Sequence, residues 1–552
     1  MKQWSWFCAP LLIAACGSSG TPEPTSHAGG GNAGGSSAGT AGTGNESPTS
    51  PTSFQLSCAA PELGRPMLRV LNREQFTRTV RDVFPQVSGM WSSTLPSDPQ
   101  SSSGFDNDAS TPVGPQLAQA LLDTASAVAA AVTGSALATI LPCSATHADR
   151  ECAEQFITQY GRRLFRRALT PIERDRYLTY FDGAVKKADF KTAIKWLTVG
   201  LIQSPNAVYR SEIGTLIGDT RQLDRNELVT ELAYTYTNTT PSEALLAQAE
   251  QRTPLDAAAL AKTLLASNEG HATLQRFFES YLDYPRVASL EREGIAQWGA
   301  VRGPMIDETR SFIDQIVIRN GGGLKELLTS ATSNPSRDLA AYYGFDPPET
   351  DNASTPRANG RGIGLLAQGS LLASRALPNG SSPTQRGLFV YTRLLCNAKP
   401  KPPGNVPGIP NPIPGRATTR QRYELQHAAN PACRGCHQLF DPIGFGFEHF
   451  DEGGRYRNTD GGLDIDTVSE VPTDGGTPLF QFQDQESLAR GLAEEAVVYQ
   501  CFAAYLATYA FGTSDACLGA SRVADLQAGA LGIADYYSSL AAEPHFTRRS
   551  NR

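Results

Sequence analysis

From Leu68 onward, apolar side chains recur at three- and four-residue spacing, the pattern of helices that bury one face. Asn72 can cap a helix whose buried positions are Phe76, Val80 and Val83, and Pro85 stops it. Leu117 to Val132 reads as an Ala-rich helix, and residues 151 to 168 as another, with Phe156, Tyr160, Leu164 and Phe165 along one face. Arg162, Arg163, Arg166 and Arg167 gather at its end, where cations suit the helix dipole and a solvated terminus is expected. Thr170-Pro171-Ile172-Glu173 is a capping box, and Thr240-Pro241-Ser242-Glu243 repeats the pattern. Further amphipathic helices are predicted at 187–203, 225–237, 241–250, 255–267, 270–282 and 304–319. No strand-period run of similar length competes with them, so the fold class is mainly α.

Breaks in the pattern divide the chain. Residues 86 to 115 read as a long loop, and 346 to 361 form a polar boundary. Short apolar helices are expected at 362–373 and 385–395. Lys399 to Pro414 then holds seven prolines, a composition for an extended strap rather than regular structure. A Gly- and Asp-rich loop follows Arg457; the spacing of Asp460, Asp464 and Asp466 does not match an EF-hand, so a solvated turn is expected. A helical pair at 485–512 and 521–541 closes the chain.

Composition changes this picture at the N-terminus. The apolar run Trp4 to Ala15 is too short to span a bilayer and ends in Leu12-Ile13-Ala14-Ala15-Cys16, which resembles a bacterial lipobox. Cys16 would then be lipidated, and Gly17 after it favours the outer membrane, with the lipid anchor making the membrane a partner. An ordinary secretory signal is the alternative. Residues 17–57 are Gly, Ser, Thr, Ala and Pro with almost no large apolar side chain, a flexible tether with a reach of roughly 35 Å. The net charge of -7 argues against nucleic acid as a partner.

The chemistry is concentrated in Cys433-Arg434-Gly435-Cys436-His437. Two thiols can form thioethers to haem vinyl groups, and the adjacent imidazole can ligate the iron. With 10 Cys and 7 His in 552 residues, a shuffled chain would hold roughly 0.002 such matches. Covalent haem c is therefore the first reading, with iron bound by His437. A Cys433–Cys436 disulfide, or a zinc site drawing on His427 and His449, are the alternatives. Once Cys8, Cys16 and the motif pair are set aside, six cysteines remain: Cys58, Cys143, Cys152, Cys396, Cys501 and Cys517. They suggest three disulfides. Local pairing gives Cys143–Cys152 and Cys501–Cys517, the latter closing a loop of about 15 residues worth roughly 3 kcal/mol; Cys58–Cys396 follows by elimination.

Several segments together resemble a known family. They are Arg393-Leu394-Leu395-Cys396, Gln426-His427, the Cys433 to His437 motif, Asp441-Pro442-Ile443-Gly444-Phe445-Gly446-Phe447-Glu448, and Phe450-Asp451 to Arg455-Tyr456-Arg457. Leu71 to Phe84, Gly161 to Leu169, Ser204-Pro205 through Tyr209-Arg210, Glu231-Leu232-Ala233 and Leu339 to Gly344 add to the likeness. The chain looks like a large exported multidomain family of planctomycetes and myxobacteria, built from consecutive domains of unknown function and cytochrome-c-like around the haem motif. This implies an N-terminal helical domain at 58–215, a second at 216–345, a cytochrome-c-like domain at 346–460 and a C-terminal helical domain at 461–552. Phe440 stands where members often carry Met, and His449 where Asn is common.

No Met follows the motif; Met67, Met90 and Met305 all precede it. The family pattern makes His427 the favoured second iron ligand, ahead of His449, and five-coordinate iron stays open. Three functions follow. One is an electron-transfer lipoprotein of the cell envelope with an unknown redox partner protein. The second is a peroxidase or oxidase, where His427 or Arg455 would act on bound oxidant. The third is a non-redox envelope scaffold whose motif cysteines are bridged. Asp441 and Asp451 could orient His437 or cap turns, the structural role being expected. Gly444 and Gly446 are expected to let backbone approach the porphyrin.

Overall fold

The computed structural model describes residues 63–551 apart from 102, 108–111, 358–359, 401–415, 427–430, 474 and 514–516. The segments expected to be signal and tether, with Cys16 and Cys58, most of the Pro-rich stretch and His427 lie outside the described residues. Twenty-four α-helices and only short strands make up the rest, a mainly α multidomain body. No described helix is long and apolar enough to cross a membrane.

Local signals produced the helices they encode. Asn72 and Gln75 form a reciprocal capping box on helix Arg73–Val83, and Thr170 with Glu173 does the same on Pro171–Val185. The second candidate box is different: Ser242, not Thr240, caps Glu243–Glu250. Helix Trp298–Ile313 begins ahead of its expected start, carries Pro304 inside and runs on as a π-helix over Asp314–Arg319. The expected helix 485–512 is two helices, Gln485–Leu492 and Ala496–Phe511.

Two large cores organise the body. One gathers Phe76, Phe84, Phe156, Leu197 and neighbours between residues 70 and 208, with Tyr234. The other joins Phe105 and helices 268–282, 324–329, 365–374, 383–395, 485–511 and 533–546 to Phe440, Ile443 and Phe450. The helix end at Arg162–Arg167 is not solvated. Arg166 adopts a left-handed backbone (φ 58°), is 3 % exposed, and donates to the carbonyls of Asn206, Ala207 and Tyr209. Arg162 pairs with Glu243 and Glu250.

Strands that the helical pattern concealed tie distant segments together. Met67–Val70 pairs antiparallel with Tyr209–Glu212, and the C-terminal strand Arg548–Ser550 pairs with Thr220–Gln222, itself paired with Thr215–Ile217. At their junction Glu212 is 1 % exposed. It sits 2.9 Å from Arg69, 3.4 Å from Arg210 and 2.6 Å from Arg549; Arg210 also reaches Glu231 at 3.5 Å.

The disulfides correct the expected pairing. Cys143–Cys152 is formed, but Cys501 is joined to Cys396, 105 residues away, rather than to Cys517. Cys396 is therefore unavailable to Cys58. Cys517 is also disulfide-bonded, and none of the other described cysteines is its partner. Local pairing failed because the segment just after Leu394, which bears Cys396, packs beside helix Ala496–Phe511, which bears Cys501, and sequence distance does not reveal this.

Candidate functional site

Residues 431–437 form one short helix, Pro431–His437, so the CxxC spacing places both thiols within one turn. Cys433 and Cys436 are half-buried free thiols, while the other described cysteines are all in disulfides. Cys436 and Leu439 lie against the second core. A turn over 438–440 follows, and Pro442 in the first turn starts helix Asp441–Phe445.

That turn brings Asp441 back to His437. The His437 Nδ1–H donates to Asp441 Oδ2 at 2.9 Å, and Asp441 is 5 % exposed. Thr384 Oγ1 donates to the other carboxylate oxygen at 2.7 Å and lies 3.4 Å from His437 Nδ1. Asp441 caps no helix, since Asp441–Phe445 has Phe440 at its N-cap and no side-chain cap. It orients the imidazole instead, contrary to the expected structural role. Asp451 does serve its turn, accepting from the backbones of Gly453 and Arg455.

Thr384 can reach this pair because two helices touch through glycines. A Cβ on Gly387 would overlap the Phe440 carbonyl, and one on Gly444 would overlap the Pro383 carbonyl. Gly446 is pressed against Phe482 and Leu488. These glycines serve close packing between elements. Below them Arg386, 2 % exposed, donates to the carbonyls of Phe447, Phe450 and Asp451 and fixes the loop after the motif. Glu448 accepts from Ser381 and Arg457; burial pushes its carboxyl up, against the pull of Arg386 and Arg457.

The other candidates are spread out. His449 Nδ1–H donates to the Arg457 carbonyl at 2.9 Å, and its ring stacks on Tyr456. Arg455 is paired with Asp451 at 2.8 Å and lies over the Tyr342 ring. Met305 is wholly buried in a separate core with Trp298, and Met90 is exposed in the N-terminal part. Asp460 is not a solvated turn residue: it is 8 % exposed and accepts from the Thr419 backbone and Arg457. Among the described residues, no three His, Cys, Asp or Glu side chains form a metal-binding group. Phe440, at the Met-like family position, packs its ring 5.3 Å from that of His437.

Haem c attachment uses two unbridged thiols and one imidazole as iron ligand. Two free thiols in one helical turn, and an imidazole held through Nδ1 by a buried carboxylate, fit that donor set. Sequence reasoning missed Thr384, which meets Asp441 only through tertiary packing. The pair of glycines at 387 and 444 was its one visible trace.

A mainly α body with an oriented CxxCH histidine defines the class of molecule. Comparison with family models then finds four consecutive domains described as proteins of unknown function. They are PSD3 (DUF1587) over residues 69–134, PSD5 (DUF1595) over 152–212, PSD4 (DUF1592) over 223–345 and PSCyt3 (DUF1588) over 361–460. The chain is thus built from consecutive domains of a multidomain, unknown-function type. No curated protein and no solved structure matched it.

Proposed function

We propose that this chain is a c-type haem lipoprotein that carries single electrons in the cell envelope. Cys433 and Cys436 hold haem c by thioethers, and His437 binds its iron. The observation that carries the reading is the His437–Asp441 pair beside two free thiols. A histidine whose Nδ1–H is held by a carboxylate would ligate iron through Nε2. The match of the PSCyt3 model to residues 361–460, which include the motif, supports the same assignment.

A haem at this position would supply reversible one-electron chemistry. Around it, the chain's own residues do separable work. Thr384 fixes Asp441, Asp441 fixes His437, and Arg386 with Glu448 holds the following loop. His427 is proposed as the second iron ligand. Lipidation of Cys16, with residues 17–57 as tether, would keep the body at the outer membrane within reach of a redox partner.

The test is a visible spectrum of full-length protein matured in a periplasm that has haem-attachment machinery. A Soret band that survives acid–acetone extraction is expected, with a low-spin form unmoved by carbon monoxide. A high-spin, ligand-binding spectrum would favour the peroxidase or oxidase reading. A colourless protein would leave the envelope scaffold.

A further inference from the structure

We infer that Asp441 is the positioning residue of His437 and tunes the metal centre electrically, holding the iron at a lower reduction potential than a neutral hydrogen-bond acceptor would. The inference rests on the haem reading above. Its basis is a chain of hydrogen bonds with defined polarity. Thr384 Oγ1 donates to Asp441 Oδ1 at 2.7 Å, and His437 Nδ1–H donates to Asp441 Oδ2 at 2.9 Å. Both carboxylate oxygens are therefore engaged, and the group cannot swing away from the ring.

Asp441 is 5 % exposed, so water screens its charge weakly. An imidazole that donates into a buried carboxylate gains electron density on its other nitrogen and becomes the stronger donor to a metal. A stronger donor stabilises the higher oxidation state, and second-shell hydrogen bonding of this kind is one of the levers a protein has on haem potential. Thr384 acts with the opposite sign, because its hydroxyl draws charge from the same carboxylate. A removable donor on one oxygen and the imidazole on the other make the carboxylate adjustable in both directions. The Gly387–Phe440 and Gly444–Pro383 contacts hold this geometry, since they set the distance between the helices bearing Thr384 and Asp441.

The test is a redox titration of the haem-loaded full chain with dithionite and ferricyanide, at one pH. Asp441→Asn keeps an oxygen acceptor and removes the charge. Its midpoint should rise by an amount equal to about a tenfold change in the ferric-to-ferrous ratio, about 59 mV for a one-electron couple. Thr384→Val should move the midpoint the other way. Opposite shifts support the inference, because loss of mere scaffolding would move both variants alike or strip both of haem. An Asp441→Asn protein with the parental midpoint overturns it. Should Asp441→Asn fail to fold, Thr384→Val decides alone: a fall supports the inference, while an unchanged or raised midpoint overturns it. An unsubstituted chain without haem would instead defeat the reading on which the inference rests, so the two failures are told apart.

Discussion

Two polar clusters in this molecule contrast in what surrounds them. Around Glu212, three guanidiniums and two carboxylates are shut between strands and helix Arg225–Thr237, each side chain under a tenth exposed. Around His437, a carboxylate is buried but the imidazole and both thiols reach toward the surface. The first cluster joins the N-terminal strand, the strand after residue 208 and the C-terminal strand, so its charges are spent on holding distant segments together. The second holds two thiols that no disulfide consumes. Buried charges matched within the chain mark architecture; an oriented, half-exposed donor set marks chemistry.

The contrast breaks most sharply at Cys433→Ala combined with Cys436→Ala. Covalent haem should vanish, while chemical denaturation gives an unchanged midpoint for the apo chain. Loss of stability as well would mean the thiols belong to the architecture. Removing the Cys396–Cys501 disulfide frees a 105-residue separation that contains the motif. Chain entropy puts the cost at about 4.7 kcal/mol for a loop of about this size, read by urea unfolding.

Glu212→Gln should cost about 3–5 kcal/mol, because three buried guanidiniums lose their shared anion. Haem content of the surviving folded protein should not change. The same cluster sets acid sensitivity. Burial works against the Glu212 carboxylate, but Arg69, Arg549 and Arg210 outweigh it and bring its pKa from 4.5 down to about 2. A depressed carboxylate stabilises the fold above its unfolded value. That contribution should therefore be present above pH 4.5 and fade as pH falls toward 2. In Glu212→Gln, this segment of the stability–pH curve should flatten. The smallest effect is Thr170→Ala, which removes one capping oxygen from helix Pro171–Val185 and should cost about 1 kcal/mol in thermal unfolding. It should leave both clusters intact.

The sequence carried what is encoded within a few residues. Asn72 with Gln75 and Thr170 with Glu173 formed their boxes because both partners lie in one helical turn. The motif itself was visible for the same reason, and Asp441 was near enough to be noticed. Contacts closed by the tertiary fold were hidden. Arg166 looked like a solvated helix end because its carbonyl partners lie 40 or more residues away. Cys396 and Cys501, Thr384 and Asp441, and the C-terminal strand with Thr220–Gln222 are partners of the same kind. Three-residue strands such as Thr215–Ile217 also carry too little alternation to stand out among helices.

All of the proposed redox chemistry depends on haem being bonded to Cys433 and Cys436. Intact-mass spectrometry under denaturing conditions, on the chain matured with haem-attachment machinery, addresses it directly. The expected result is a mass increased by one haem, with the added mass localised to the peptide containing both cysteines. A haem-free mass, or that peptide recovered with its two sulfurs bridged to each other, would rule out covalent haem at this motif.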